Sequence, residues 1–188
     1  MAWESGNYYL TTAQMQNNAQ LVANFGMSKR WTKTAVAAML GNMQAESGIN
    51  PGIWEGLSPY NGGYGLTQWT PYTKYSTWAT GEGYSWQDNG DAEMERIFYE
   101  VENNLQWFYN SELGISPPIT FKQFMEDDLY DLQNSTNFWL WFYEHPADPG
   151  PTTQATRYGY AQTWYNYIQY LNIPIWLLFK FNDWRRLH

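Results

Sequence analysis

The chain has 188 residues, 44% of them hydrophobic and 20% aromatic, and a formal net charge of -8 at neutral pH. This length and apolar content predict one main domain with a sizeable core, and the acidic balance opposes nucleic-acid binding, which depends on Lys and Arg. The chain has no cysteine and only two histidines, His145 and His188, which excludes disulfides, cysteine nucleophiles and zinc sites built from several His or Cys ligands. No metal or other cofactor is expected.

The beginning of the sequence and its longest apolar runs bear on export and membranes. Residues 1–6 have neither a basic start nor an apolar run, so no Sec signal peptide is expected. Nowhere do about eighteen apolar residues follow one another, so no transmembrane helix is expected.

Two helices are predicted in the first quarter of the chain. Thr12 can cap the first, whose apolar residues follow the helical period as far as Gly26. The second is predicted to start near Thr32 and to run to Ser47, with Gly48 as its stop. It is the least polar helix of the chain, so we expect it at the centre of the core.

Residues 48–90 are rich in glycine and aromatic residues and show little helical period. This composition predicts short strands or turns. Residues 63–71, GYGLTQWTP, are the best candidate for a small hairpin or a loop that lines a cleft.

A strongly amphipathic helix is predicted from Asp91, which can cap it, with an apolar face that continues to Phe108. Its opposite face carries four glutamates. Because glutamate is usually exposed, these are predicted to form a solvated surface: Glu93, Glu95, Glu100 and Glu102.

Shorter helices are predicted from Thr120 and from Asn134 or Ser135, the latter ending at Pro146, and a last helix over about 153–168. Helices, an irregular Gly-rich stretch and further helices follow one another. This order predicts an α+β fold that is predominantly α-helical, with a cleft between two lobes.

Glu46 is the sharpest chemical feature, because it ends an otherwise apolar helix. The partial negative charge of the helix C-terminus and apolar neighbours both disfavour ionisation, so we expect its pKa to be raised. Such a carboxyl group can donate a proton to a leaving oxygen. The alternative is a surface glutamate at a frayed helix end.

Residues 40–51, LGNMQAESGINP, followed by 63–71, resemble the phage tail lysozyme family of the lysozyme and lytic transglycosylase superfamily. The resemblance covers about residues 12–171. Three later features are also similar to that family: residues 142–146 (FYEHP), Arg157 and residues 160–165 (YAQTWY).

The resemblance implies a lysozyme-like fold in which a central helix ends at the general acid, Glu46. It implies that Tyr64, Gln68 and Trp69 bind substrate in the cleft. Ser47 is grouped with these substrate-binding residues, although it looks structural, as a bridge between the helix end and the hairpin.

A second carboxylate is less clear, because Gly63 stands where animal lysozymes carry an aspartate. A retaining enzyme needs two carboxyl groups about 5 Å apart, and an inverting enzyme needs a base roughly 6.5 to 9.5 Å away. Glu55 is the first candidate for this catalytic base and Glu144 the second. A lytic transglycosylase needs no water, since one carboxyl group can serve as acid and then base. Arg157 either binds a carboxylate of the substrate or pairs with Glu144.

Residues 1–172 are expected to form the lysozyme-like catalytic domain, and residues 173–188, apolar with a basic finish, a flap or a docking tail for other tail proteins. The resemblance implies cleavage of the MurNAc-GlcNAc backbone of peptidoglycan by a phage protein, located in the virion tail or released to the host wall, for genome entry or lysis. The alternatives are a lytic transglycosylase, a wall-binding module without activity, and an inactive structural tail protein.

Overall fold

A computed structural model describes residues 2–168 of the chain, so the predicted segment 173–188 lies outside the described residues. A 3₁₀ turn spans Glu55–Leu57, and a π-helical turn, Leu140–Glu144, directly continues the sixth helix. The part of the chain that is described is rich in helix. Its α-helices are α1 Thr12–Ser28, α2 Lys33–Ser47, α3 Thr73–Gly81, α4 Gly90–Glu102, α5 Phe121–Glu126, α6 Leu132–Trp139 and α7 Pro151–Tyr167. In residues 2–168, no helix combines the length and apolar character needed to span a membrane.

The first two helices form where their capping residues predict. Thr11, one residue earlier than expected, closes a capping box with Gln14 at the start of α1. The Thr32 side chain accepts a hydrogen bond from the N–H of Ala35 at the start of α2, and Gly48 ends α2 in the left-handed conformation with φ 63°. The predicted bounds of α2 are therefore confirmed.

Helix α2 lies at the centre of the core, as predicted, and most of its residues are buried. Helix α7 packs closely against it at Gly41, where a Cβ atom would lie 2.7 Å from both the Cβ of Ala161 and the carbonyl oxygen of Arg157. Helix α6 packs against α2 as well, and Asn42 Nδ2 donates to the carbonyl of Thr136 over 3.2 Å. These contacts bring Arg157 of α7 next to the C-terminal end of α2.

The segment 48–90 contains more helix and less strand than expected. Helix α3 was not predicted there, because its Tyr, Thr and Trp residues show no clear apolar period. Within residues 2–168, β structure is limited to isolated bridges that join Trp54 to Tyr64, Tyr64 to Trp69 and Asn110 to Ile115. The helix-rich prediction is confirmed, whereas an α+β class is not.

Helix α4 differs from its prediction in its bounds and in its glutamates. Asn89, not Asp91, caps the helix, which ends at Glu102. The helix does not reach Phe108, because Asn104 and Gln106 adopt positive φ angles of 50° and 57°.

The prediction of four solvated glutamates on α4 is wrong for Glu93 and Glu100, whose exposed fractions are 0% and 1%. Glu95 and Glu102 do reach solvent, where they pair with Lys29 and Lys122. Glu93 and Glu100 are buried because they accept hydrogen bonds from distant parts of the chain, namely from the N–H of Leu66 and from the hydroxyl of Tyr143.

The shorter helices start close to their predicted positions. Thr120 caps α5 in a capping box, as predicted, and Asp131 caps α6, three residues before the earliest predicted start. Helix α7 starts at Pro151, a residue type suited to the first helical turn.

Candidate active site

A cleft of about 720 Å³ opens where the end of α2 meets the turn-rich segment and the π-helical turn. Five of the predicted site residues line it: Glu46, Glu55, Gln68, Trp69 and Arg157. Glu144, the second candidate base, lines it too. The rest of the lining includes Tyr9, Lys74, Gln106 and His145.

Glu46 occupies the last turn of α2 and faces this cleft. Its side chain is 23% exposed, and its Oε1 accepts a hydrogen bond of 2.5 Å from Nη2 of Arg157. The carboxyl group is therefore accessible from the cleft while one of its oxygens is held by a cation. The sequence argument for Glu46 did not include this ion pair.

Arg157 is a buried cation, with a side chain only 9% exposed. Its Nη1 donates to Oδ1 of Asn42 over 3.0 Å, so α2 provides both of its partners. Pairing with Glu144 was one of two alternatives for Arg157, and the structure pairs it with Glu46. Because its guanidinium is already engaged, Arg157 is better placed to orient Glu46 than to bind a substrate carboxylate.

Glu144 ends the π-helical turn and is half-buried at the cleft. Its Oε1 accepts a hydrogen bond of 2.8 Å from Nε1 of Trp139. Burial, followed by the negative charge of Glu46, raises the pKa of Glu144 well above its usual value, and Arg157 opposes this rise. The cleft thus contains a carboxyl group whose protonated form is favoured.

Glu55 lies on the exposed rim of the cleft, in the 3₁₀ turn. Its Oε2 accepts a hydrogen bond of 2.9 Å from the N–H of Gly63. This contact ties the turn to the hairpin, so the carboxylate already has a structural partner.

Ser47 and Tyr64, which were predicted to bind substrate, lie beneath the cleft surface, where they make hydrogen bonds within the protein. Ser47 Oγ donates to the carbonyl of Leu66 over 2.9 Å, which is the bridge between helix end and hairpin that its position suggested. Tyr64 is 1% exposed and its hydroxyl accepts from the N–H of Asp88 over 2.8 Å. Its ring packs against Trp54, with 4.6 Å between the ring centroids.

Gln68 and Trp69 form part of the cleft wall. Gln68 Nε2 donates to the carbonyls of Ile53 and Gly65, at 3.2 and 3.0 Å, so its amide is oriented by the backbone. Trp69 is 3% exposed and donates from Nε1 to Oε1 of Glu100 over 3.3 Å. Trp69 therefore presents only a small part of its ring to a ligand.

Glu100 lies below this wall and joins three elements. Its Oε2 accepts from the hydroxyl of Tyr143 over 2.6 Å, and its Oε1 accepts from Nε of Arg96 over 2.8 Å. Burial raises the pKa of Glu100, and the charge of Arg96 opposes that effect. The i, i+4 spacing of Arg96 and Glu100 was the one local signal of this pair.

Glu93 contacts the backbone of residues 63–71. Its Oε2 accepts a hydrogen bond of 2.6 Å from the N–H of Leu66, and Gly65 allows this approach, because a Cβ there would lie 2.5 Å from Oε1 of Glu93. Complete burial raises the pKa of Glu93 well above its usual value.

Tyr9 and His145 are among the cleft residues that were not predicted from the sequence. Tyr9 is 74% exposed and belongs to the irregular segment before α1. Asn50 Nδ2 holds this segment by donating to the carbonyls of Gly6 and Tyr8, at 2.8 and 2.7 Å. His145 stacks on Phe108 with 4.4 Å between the ring centroids. Burial lowers the pKa of His145, which favours the neutral ring.

Within residues 2–168, no group of three or more His, Cys, Asp or Glu side chains is arranged to hold a metal ion. The carboxyl groups of Glu46 and Glu144, which line the cleft, can transfer protons.

Comparison with known proteins identifies the family of the chain. The sequence profile of the phage tail lysozyme family matches residues 17–168. Morphogenesis protein 1 of Bacillus phage B103 is 40% identical over 163 residues, which cover 86% of this chain and 42% of that relative. The chain thus spans less than half the length of this curated relative. Since this profile covers most of the chain, the chain belongs to the phage tail lysozyme family.

Proposed function

We propose that the protein cleaves the MurNAc-GlcNAc backbone of bacterial peptidoglycan, with Glu46 as the proton donor. The observation that carries the proposal is the position of the Glu46 carboxyl group, which ends a buried helix and faces the cleft. The family membership supports a substrate in the bacterial cell wall.

The reaction begins when an acid in the cleft protonates the glycosidic oxygen. The bond between that oxygen and the sugar C1 then breaks, and the leaving sugar keeps the electron pair. Positioned acid catalysis of this kind contributes roughly 10²- to 10⁴-fold to the rate. The buried Arg157 would fix the orientation of Glu46 during this step.

Hydrolysis is the outcome we favour over ring closure by a hydroxyl group of the substrate. Activation of a water molecule requires a second carboxyl group that acts as base. The cleft contains two candidates besides Glu46, the engaged Glu55 on the rim and the half-buried Glu144.

The shape and lining of the cleft also fit a saccharide. A volume of about 720 Å³ lies within the range of ligand sites, roughly 300 to 1,000 Å³. The exposed ring of Tyr9 offers a flat apolar face with a polar tip, which suits a pyranose ring. Glu46 of α2 and Arg157 of α7 line one side of the cleft and the turn-rich segment lines the other, which supports a two-lobed lysozyme-like architecture.

A second candidate is a structural role in the phage tail without catalysis. The name of the relative from Bacillus phage B103, a morphogenesis protein, favours a component of the virion. In either case we place the protein in the phage virion, and residues 173–188 are our proposed contact with other tail proteins. A chain that ends at residue 172 should then keep glycan cleavage and its melting temperature but assemble poorly.

Mass spectrometry of purified peptidoglycan digested by the protein tests the proposal. Reducing ends that have gained one water molecule support hydrolysis. Anhydro-sugar ends would show a lytic transglycosylase instead. If a properly folded protein yields no new glycan ends, the result would favour the structural role without catalysis.

A further inference from the structure

The cleft contains more acidic groups than cations to neutralise them. Glu46 and Glu144 face it together, and Arg157 is the cation that interacts with both. Glu100 lies deeper and has its own partner in Arg96. With both Glu46 and Glu144 ionised, these two groups and Arg157 together would carry one excess negative charge.

The other titratable groups around Glu144 do not remove this excess. Tyr143 precedes Glu144, and its pKa is raised by burial and by Glu100, so it stays neutral. His145 follows Glu144, and its lowered pKa favours the neutral ring. Lys74 lies on the exposed rim, where its charge acts on His145.

Glu144 is also held in a fixed position. It ends the π-helical turn, directly before His145 in the left-handed conformation with φ 51°. The Trp139 indole, itself fully buried, donates to Oε1 of Glu144.

We propose that Glu144 is a second catalytic carboxyl group, and that Glu46 and Glu144 together hold a single proton in the resting protein. Two carboxyl groups that interact electrostatically titrate as a pair, and one proton makes the group of Glu46, Glu144 and Arg157 neutral. The raised pKa of Glu144 agrees with this distribution of charge.

This inference rests on the proposed glycan cleavage and adds where the catalytic proton comes from and where it returns. The shared proton leaves the pair through Glu46, which gives it to the glycosidic oxygen as the bond to C1 breaks, and Glu144 later accepts the proton released by water. The ionised pair then faces the positive charge that develops on the sugar ring. A water molecule adds to C1, and the proton that it releases returns to the pair.

Kinetics against pH test the catalytic part. Glu144→Gln should lower kcat by about 10²-fold or more with little change in KM, because the amide cannot accept the proton from water. Without Glu144, the site loses the carboxyl group whose pKa is raised by burial and by the charge of Glu46. The alkaline limb of the rate profile should therefore move down by about one pH unit or more.

Two further variants separate catalysis from folding. Glu144→Asp keeps a titrating carboxyl group and should recover part of kcat and the alkaline limb. Glu112→Gln removes one negative charge at an exposed position outside the cleft and is the matched control. If Glu144→Gln keeps the wild-type rate and pH profile, the proposal is overturned.

A titration followed by ¹³C NMR of labelled glutamate carboxyl groups tests the shared proton without any turnover. The proposal expects the Glu144 signal to titrate above its usual range and to shift to lower pH in Glu46→Gln. A Glu144 titration that is unchanged by Glu46→Gln would overturn the pair. If the pair is found but peptidoglycan is not cleaved, the catalytic role fails together with the proposed function, and the shared proton stands.

Discussion

Arg157→Met tests how firmly the α2–α7 contact holds the site, because methionine keeps the length of the side chain but removes its charge. Arg157 is 7% exposed and donates to both Glu46 and Asn42. Removal of one partner of a buried ion pair costs about 3 to 5 kcal/mol. Since the Glu46 side chain is 23% exposed, water can partly replace the lost cation, and we expect the lower end, about 3 kcal/mol.

For a domain of this size, 1 kcal/mol corresponds to roughly 2 to 4 °C in Tm, so the variant should melt about 6 to 12 °C lower. Differential scanning calorimetry measures this change. Lys122→Met, which breaks an exposed pair with Glu102, is the control and should leave Tm nearly unchanged. A double variant, Arg157→Met with Glu46→Gln, should recover part of the loss because no unpaired charge remains. An Arg157→Met protein that melts with the wild type would refute this account of the ion pair.

Two other expectations concern packing and pH. Gly41→Ala should destabilise the fold by about 1 to 3 kcal/mol, because its Cβ would meet Ala161 and the backbone of α7. Gly159→Ala should stabilise the fold slightly, because no atom lies within 4 Å of its new Cβ. Opposite changes in the urea midpoints of the two variants would confirm this, and equal changes would contradict it. The raised pKa of Glu93 means that the folded state binds its proton more tightly than the unfolded state, so this residue makes the unfolding free energy fall as pH rises above about 4.5. Glu93→Gln should therefore flatten the fall in stability between about pH 4.5 and 7 without loss at neutral pH, and urea titrations that show the same slope for both proteins would rule out this role for Glu93.

Local chemistry allowed the sequence to predict the elements that carry Glu46. Thr32 as a helix cap and Gly48 as a left-handed stop depend only on nearby backbone, so both ends of α2 were predicted correctly. The place of Ser47 between helix end and hairpin was recognised for the same reason.

Features that depend on contacts between residues far apart in the sequence were not predicted. The Arg157 partner lies 111 residues away along the chain, and only the packing of α7 at Gly41 brings the two together. Glu93 looked like a surface residue because its partner, the N–H of Leu66, is 27 residues away. Tyr64 matched a cleft motif, but the surrounding aromatic rings cover it.

The central claim is tested most directly by Glu46→Gln in parallel assays of peptidoglycan cleavage and peptidoglycan binding. Glutamine keeps the shape of the side chain and an oxygen that can accept from Arg157, so the fold and the cleft should persist. Release of reducing sugar should fall roughly 10²- to 10⁴-fold, while sedimentation with peptidoglycan stays as in the wild type. A folded Glu46→Gln protein that still cleaves peptidoglycan at the wild-type rate would contradict the account.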